Sequence, residues 1–321
     1  MDNKRIFKES QFGMMIHWGL YSLYAGEYKA ERQPKQNLSE WIQKNYAIPN
    51  AEYEKLADAF NPLYFDADEW VTLAKNAGMK YMVFTSKHHD GFSMFHSKVD
   101  PYNIVDATPF KRDVVKELAD ACKKQGIKFG VYYSQDMDWH EPNGGGYKKT
   151  GSDCRERSNS WDYPDADKKD YSICFEKKIK PQVEELLTNY GDIFLIWFDM
   201  PSSITPEQSE ELYNLVKKHQ PNCLINSRIG NGKGDYRSLD DNEISNEYFG
   251  DELVETPVTL NDTWGYKSYD NNWKSAEKII ELKKHLKEHG INFLLNVGPD
   301  YLGRFPAATV DILKELANSE K

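Results

Sequence analysis

Titratable side chains stand directly after several apolar runs of this chain. The run YMVFTS (81–86) is followed by Lys87-His88-His89-Asp90-Gly91, and the run FGMMIHW (12–18) ends in His17 and Trp18. Histidines and carboxylates can transfer protons, ligate a metal ion or exchange hydrogen bonds with a bound hydroxyl group. Polar residues also follow the later apolar runs, at Gln135, Asp136, Asp199, Asn226 and Arg228.

Asp199 is the strongest candidate for a functional residue among these, because it ends the apolar run IFLIWFD (193–199) with a single carboxylate. An aspartate at this point can simply cap the next helix. That helix is predicted to begin later, near Thr205 and Pro206, which favours a functional role for Asp199. Acid/base or glycosyl chemistry would require a second carboxyl group. Composition does not choose among the downstream candidates, which are Asp240, Asp241, Glu243, Glu247 and Glu255.

The histidines leave two kinds of site open. His17, His88, His89 and Asp90 could form the ligand set of a metal-dependent barrel hydrolase. However, the sequence contains neither an H-x-H pair on one strand nor an H-E-x-x-H helix. Histidine beside tryptophan is more typical of a pocket that binds sugar hydroxyls, since the indole offers a stacking face.

The elements that position these residues alternate along the chain. Strands are predicted at 12–18, 81–86, 128–134, 192–199, 223–227 and 291–297. Amphipathic helices are predicted at 66–78, 110–126, 206–220 and 272–290. Alternating strands and helices predict a parallel sheet, and a (β/α)8 barrel would bring the carboxyl ends of its strands together at one rim. We expect one domain over 1–321, with a long polar loop at 137–166 that is functional or mobile.

Composition excludes several classes of function. The chain has 321 residues and a formal net charge of −10, which disfavours binding to nucleic acid. No stretch approaches 18 apolar residues, and the polar N-terminus lacks the apolar core of a signal peptide. The cysteines Cys122, Cys154, Cys174 and Cys223 are scattered, so we expect free thiols and a cytoplasmic location.

Long, ordered motifs resemble the α-L-fucosidases of glycoside hydrolase family 29. They are FGMMIHWGLYS, SKHHDGFSMFHSKVDPYN, KRDVVKELADACKKQGIKFGVYYS, IWFD and TWGY…NFLLNVGPD, and they extend from about residue 11 to 304. Within the family, MMIHWGLYSLYAGEY, WHEPNGGGY and QPNCLINSRIGNGK resemble the short bacterial α-1,6-L-fucosidases. The resemblance implies a (β/α)8 barrel and a retaining exo-α-L-fucosidase that needs no cofactor or metal. It also implies a fucosylated oligosaccharide or glycoprotein glycan as substrate, with fucose α-1,6-linked to N-acetylglucosamine.

The resemblance assigns a nucleophile and an acid/base residue. The nucleophile falls on Asp199. The acid/base residue falls on Asp241 in a D-N-E context, with Glu255 in V-E-T-P as a support residue or alternative acid. As a proton donor, Asp241 would need burial or a neighbouring negative charge to keep its proton.

The resemblance also assigns the residues that bind the substrate. Trp41 and Trp197 would pack against the apolar face of fucose, Arg228 would lie near the acid/base loop, and Tyr133 is the alternative to Tyr132. The substrate-binding set is His17, Glu40, Trp41, His88, His89, Tyr132, Trp197 and Arg228.

Three features depart from many members of the family. Met200 follows the nucleophile where many relatives have glycine, which should narrow the space beside Asp199. Asp241 is one methylene shorter than the glutamate that many relatives use as acid/base residue. The barrel is expected to stand alone, without the C-terminal β-sandwich of many relatives. A non-catalytic fucose-binding protein remains an alternative, and the sequence leaves the oligomeric state open.

Overall fold

Eight parallel strands form one sheet in the computed structural model, which describes residues 2–147 and 156–319. The strands are β1 (Phe12–Ile16), β2 (Tyr81–Lys87), β3 (Lys128–Tyr133), β4 (Leu195–Phe198), β5 (Leu224–Ile225), β6 (Arg237–Ser238), β7 (Val254–Thr259) and β8 (Ile291–Val297). Their spatial order is β5-β4-β3-β2-β1-β8-β7-β6. A parallel bridge between Asn226 and Tyr236 joins the two edge strands, so the sheet curls into a barrel. The predicted (β/α)8-type fold is confirmed.

Helices surround the sheet. The longer ones are α1 (Asn3–Ser10), α2 (Ala67–Asn76), α3 (Val114–Gln125), α4 (Lys180–Asn189), α5 (Pro206–His219), α6 (Ala276–Glu288) and α7 (Ala307–Ser319). Shorter α-helical turns lie at Tyr21–Tyr24, Ile42–Asn45, Asn50–Tyr53, Leu56–Ala59 and Tyr171–Cys174. Single 3-10 or π turns lie at Ser39–Trp41, Ala166–Lys168, Phe175–Ile179 and Ser227–Ile229, and a small antiparallel ribbon pairs Glu27–Tyr28 with Glu31–Arg32. In the described part of the chain, every helix is too short or too polar to cross a bilayer.

Local sequence signals explain where the helices begin and end. Helix α5 begins with a capping box in which Thr205 and Gln208 satisfy each other's backbone N–H groups, and Pro206 occupies the first turn. Helix α3 ends at Gly126, which takes the left-handed conformation with φ 76°. Because Thr205 caps α5, Asp199 is not a helix cap, as the sequence predicted.

Side chains of the strands alternate between two cores. In β1, Met14 and Ile16 face the helices, whereas Met15 faces the barrel interior. In β3, Tyr132 faces the interior and Tyr133 faces the helices. This period of two follows from the pleat of a β-strand. It selects which strand-end side chains reach the mouth of the barrel.

Five elements of the structure were not predicted from the sequence: strands β6 and β7 and helices α1, α4 and α7. Strand β6 has two residues and therefore no measurable periodicity. Strand β7 contains Pro257, a residue that normally argues against a central strand. The Pro257 carbonyl accepts a hydrogen bond from the Asn242 backbone N–H. In a parallel strand the N and C=O of one residue point to the same side, so the nitrogen of Pro257 points toward the β6 side of the sheet. Strand β6 ends before this position, so no ladder hydrogen bond is lost there.

The predicted loop at 137–166 is described in part, since residues 148–155 lie outside the described residues. Its first segment packs into the protein, where Met137 and Trp139 are buried. The thiols of Cys122, Cys174 and Cys223 are free, as predicted, and they are also buried, whereas Cys154 lies outside the described residues.

Candidate active site

A cavity of about 1050 Å³ opens at the carboxyl ends of the strands. Of the eleven site residues predicted from the sequence, ten line it: His17, Glu40, Trp41, His88, His89, Tyr132, Trp197, Asp199, Arg228 and Asp241. The eleventh, Glu255, is not among the lining residues. The structure therefore brings together residues that are more than 200 positions apart in the chain.

Asp199 lies directly after β4, and 12% of its side chain is exposed. The Tyr132 hydroxyl donates a hydrogen bond to Oδ2 at 2.8 Å, and Arg228 Nη1 donates to Oδ1 at 3.0 Å. Charge-assisted hydrogen bonds of this kind are short and directional. Together they hold the carboxylate in one orientation at the floor of the cavity.

Tyr132, and not Tyr133, is the tyrosine of the site. The Tyr133 hydroxyl donates to Gln182 on the helical side of the sheet, at 2.8 Å. Tyr132 stacks on Trp197 with ring centroids 5.5 Å apart and an interplanar angle of 19°. The two rings form the wall against which Asp199 rests.

Arg228 bridges the two predicted catalytic carboxylates. Its Nη2 donates to Asp241 Oδ1 at 2.7 Å while Nη1 contacts Asp199. The guanidinium also lies over the Trp197 ring, 4.6 Å from its centroid. This one side chain therefore links the nucleophile candidate, the acid/base candidate and an aromatic wall.

Asp241 does not have the buried environment that we expected for a proton donor. About half of its side chain (49%) is exposed, and its partner is a cation. The neighbouring Asn242 anchors the loop, because its Oδ1 accepts hydrogen bonds from the Thr259 N–H at 2.9 Å and the Thr259 hydroxyl at 3.0 Å. Asp241 thus stands at the exposed tip of an anchored turn.

His17 is a neutral hydrogen-bond acceptor. Its Nδ1 lies 2.7 Å from the side-chain oxygen of Asn296. The side-chain nitrogen of the same asparagine donates to the Trp264 carbonyl. This orientation of the amide requires His17 Nδ1 to donate, which leaves Nε2 as the acceptor. Burial lowers the pKa of His17 to about 4, so the ring is neutral at physiological pH.

His89 is fixed in the same tautomer. Its Nδ1 lies 2.7 Å from the Ser134 hydroxyl, which itself donates to the Met137 carbonyl, so His89 is the donor. Its Nε2 lies 3.8 Å from Asp199 Oδ2 and therefore faces the nucleophile candidate. Burial lowers the pKa of His89 well below its ordinary value.

Two polar atoms of the cavity wall lack a hydrogen-bond partner on another described residue. They are His88 Nδ1 and Glu40 Oε1, and both side chains are buried. The second oxygen of Glu40 accepts from the Gly265 N–H at 2.9 Å, and burial raises the pKa of Glu40 to about 7. Both atoms are shielded from solvent, so other atoms of these two side chains face the cavity.

Aromatic side chains complete the cavity. Trp41 meets His89 edge to face at 5.1 Å, and Trp197 lies in the wall two residues before Asp199, at the end of the same strand. Trp264 also lines the cavity, although the sequence motif that contains it carried no assigned role. Met200 lies in the wall with φ 52°, the left-handed conformation that favours glycine, and its side chain occupies space beside Asp199.

Glu255 lies beneath the cavity and supports its wall. The Tyr81 hydroxyl donates to Oε2 at 2.6 Å, and Trp197 Nε1 donates to Oε1 at 3.0 Å. Burial raises the pKa of Glu255 to about 7, although these donors oppose the shift. Of the two roles considered for Glu255, the geometry therefore favours support of Trp197 over contact with a substrate.

The four residues considered as metal ligands do not converge on one point. Asp90 instead accepts hydrogen bonds from the Tyr53 hydroxyl at 3.0 Å and the Phe92 N–H at 3.2 Å. Within residues 2–147 and 156–319, one group of three side chains could hold a metal ion, and it lies outside this cavity. The Lys178 amine already forms an ion pair with a carboxylate of that group, Asp100, at 2.6 Å. The members of that group are Asp100, His140 and Glu141.

Comparison with known proteins places this site in a family. The alpha-L-fucosidase family model matches residues 1–319. A curated alpha-L-fucosidase-type protein of Caenorhabditis elegans is 30% identical over 341 residues, which cover 98% of this chain and 65% of that protein. Human plasma alpha-L-fucosidase is 27% identical, over 97% of this chain and 66% of that protein. This chain thus spans about two thirds of the length of these curated relatives.

Solved structures agree with the family match. The alpha-L-fucosidase AlfC from Lactobacillus casei, in complex with its alpha-L-fucose product, is 54% identical with a TM-score of 0.94, over 100% of this chain and 98% of that chain. A mutant of AlfC in complex with Fuca(1,6)GlcNAc has a TM-score of 0.92, over 99% of this chain and 98% of that chain. The chain therefore belongs to the alpha-L-fucosidase family.

Proposed function

We propose that this protein is a retaining exo-α-L-fucosidase that hydrolyses terminal α-linked L-fucose. The observation that carries this proposal is the placement of Asp199, held by Tyr132 and Arg228, at the floor of a cavity whose histidines are neutral acceptors. Family membership supports the reaction class. The complex of AlfC with Fuca(1,6)GlcNAc supports fucose α-1,6-linked to N-acetylglucosamine as the substrate.

The first chemical step forms a covalent intermediate. An oxygen of Asp199 attacks C1 of fucose, the bond to the leaving oxygen breaks, and Asp241 donates a proton to that oxygen. In the second step Asp241 takes a proton from water, and the resulting hydroxide displaces Asp199 from C1. Two displacements restore the α configuration of the released sugar.

Arg228 has to change partners during this cycle. Its Nη2 donates to Asp241 Oδ1 in the structure, whereas the reaction needs Asp241 to carry a proton and to turn toward the leaving oxygen. In retaining glycosidases the two carboxyl groups are about 5–5.5 Å apart. We infer that Asp241 leaves Arg228 when substrate enters, and that Arg228 then keeps its contact with Asp199.

The remaining wall binds the sugar. The Nε2 atoms of His17 and His89 accept hydrogen bonds from fucose hydroxyls, and His88 and Glu40 lie beside them in the cavity wall. Trp41 and Trp197 pack against the apolar face and the methyl group, consistent with their positions in the wall.

Proton NMR of a reaction with 4-nitrophenyl α-L-fucoside tests the proposal. A retaining enzyme releases α-fucose first, and β-fucose grows in only by mutarotation. Initial release of β-fucose would exclude Asp199 as a nucleophile. A non-catalytic fucose-binding protein would cleave neither this compound nor fucosyl-α-1,6-N-acetylglucosamine, yet would still bind fucose. The cytoplasmic location stays a prediction that cell fractionation would test, and light scattering would measure the oligomeric state that the sequence leaves open.

A further inference from the structure

Gln135 makes two hydrogen bonds that connect the backbones of the two charged residues at the cavity floor. It lies two residues beyond the end of β3 and is fully buried. Its side-chain oxygen accepts from the Asp199 N–H at 2.8 Å, and its side-chain amide donates to the Arg228 carbonyl at 2.9 Å. Both partners already interact through their own side chains, so Gln135 fixes the same pair a second time, through the main chain.

Asp136 fixes the segment that follows the nucleophile. One of its oxygens accepts hydrogen bonds from three successive backbone N–H groups, at 2.7–2.9 Å. These belong to Ser202, Ser203 and Ile204. The segment from 199 to 204 is therefore held at both ends by adjacent residues of one strand end, with the left-handed turn at Met200 between them.

We propose that Gln135 is a positioning residue, which sets the main chain of Asp199 against that of Arg228 so that the carboxylate meets C1 of the sugar. This inference depends on the proposed function. It explains why the position holds glutamine, because the amide supplies both an acceptor and a donor at this reach whatever the pH. Glutamate would place a carboxylate oxygen against the Arg228 carbonyl, and methionine would supply neither group.

Kinetics of Gln135→Met test the proposal, together with melting curves. We expect kcat for 4-nitrophenyl α-L-fucoside to fall by about 10- to 100-fold, since small misplacements of a reacting group cost rates of this order. KM should stay within about twofold, because Gln135 does not line the cavity. A variant that melts earlier while kcat is unchanged would overturn the proposal.

Gln182→Met is the matched control. Gln182 is also a fully buried glutamine, and it accepts a hydrogen bond from the Tyr133 hydroxyl and donates to Ser93 and Ser97. Its partners lie on the helical side of the sheet, away from Asp199. We expect Gln182→Met to lower the melting temperature and leave kcat within twofold. Equal losses of kcat in both variants would mean that Gln135 acts only through general stability.

The pH dependence of kcat in the Gln135→Glu variant distinguishes a positioning role from a merely structural one. The protonated carboxyl group can donate to the Arg228 carbonyl as the amide does, whereas the ionised group cannot. The residues that it contacts or adjoins carry three charged groups, the Asp199 carboxylate, the Arg228 guanidinium and the Asp136 carboxylate, and the Tyr171 hydroxyl donates to its backbone carbonyl at 2.6 Å. We expect the ratio of variant to wild-type kcat to rise as the pH falls. A ratio independent of pH contradicts the inference.

A crystal structure of Gln135→Met separates this inference from the proposed function. If the wild-type protein cleaves no fucoside, the proposed function fails, but the position of Asp199 can still be compared. We expect its carboxylate to lose the 2.8 Å contact with the Tyr132 hydroxyl. An unmoved carboxylate would refute the positioning role whatever the activity of the wild type.

Discussion

Replacing Glu255 by glutamine should stabilise the folded protein at neutral pH and not at acidic pH. Glu255 is fully buried, and its carboxyl group accepts hydrogen bonds from Tyr81 and Trp197. Glutamine fits this environment, because its oxygen can accept from Trp197 and its amide can donate to the Tyr81 hydroxyl oxygen once the hydroxyl proton turns away. The exchange therefore removes the ionisable group while it keeps a hydrogen bond on each side.

The size of the effect follows from the pKa of Glu255. Burial raises this pKa from its ordinary value of 4.5 to about 7. Between these values the folded protein keeps the proton and the unfolded chain loses it, so stability falls as the pH rises and the full penalty is present above pH 7. At about 1.4 kcal/mol per pH unit, the penalty is about 3 kcal/mol. The variant does not incur it.

Urea unfolding of wild type and Glu255→Gln at pH 4 and pH 8 measures this penalty. We expect the difference in unfolding free energy, variant minus wild type, to increase by about 3 kcal/mol from pH 4 to pH 8. Changes in hydrogen bonding do not depend on pH and cancel in this comparison. Glu315→Gln, an exchange on the exposed face of α7, is the control and should give no such increase. A difference for Glu255→Gln that is flat with pH would refute the reasoning.

The same variant decides between the two roles considered for Glu255. If Glu255 only supports Trp197, the Glu255→Gln variant should keep kcat within about tenfold of wild type, since one hydrogen bond on each side survives. If Glu255 is instead the acid/base residue, the variant should lose the basic limb of the pH profile of kcat and most of its turnover of substrates with poor leaving groups. Asp241→Asn, measured in parallel, should show this second behaviour.

Three further outcomes are expected. Asp199→Ala should lose more than about 1000-fold in kcat while calorimetry still detects fucose binding, because the sugar contacts remain. Met200→Gly should lower KM for bulky aglycones and change the unfolding free energy by less than about 1 kcal/mol, because relief of the left-handed backbone offsets the lost side-chain contacts. Prolonged dialysis against EDTA should leave kcat unchanged, whereas loss of activity that zinc restores would favour the metal-dependent hydrolase.

The sequence predicted the strands that carry the site better than the strands that close the barrel. All six predicted strands are present, because long apolar runs bounded by polar residues are strong local signals. Strands β6 and β7 were missed because one is two residues long and the other contains a buried glutamate and a proline. Their place in the sheet is decided by tertiary partners, which no local pattern reports.

The residues that touch the cavity were also easier to predict than the residues that orient them. His17 ends an apolar strand and is visible in the sequence, but its partner Asn296 lies 279 positions away on β8. Gln135 was visible as a polar strand end, yet its contacts to Asp199 and Arg228 exist only because β3, β4 and β5 are neighbours. Tautomers and backbone positions depend on such pairings, so they need the structure.

The segment Lys87-His88-His89-Asp90-Gly91 shows why a motif cannot be read as one functional unit. Only its two histidines line the cavity. Lys87 is buried in an ion pair with Asp138 at 2.8 Å, and Asp90 turns to Tyr53. Gly91 has φ 77°, and a Cβ there would lie 2.3 Å from an oxygen of Asp138. The lysine, aspartate and glycine therefore fix the turn, and this fixed turn lets two adjacent histidines line the same cavity.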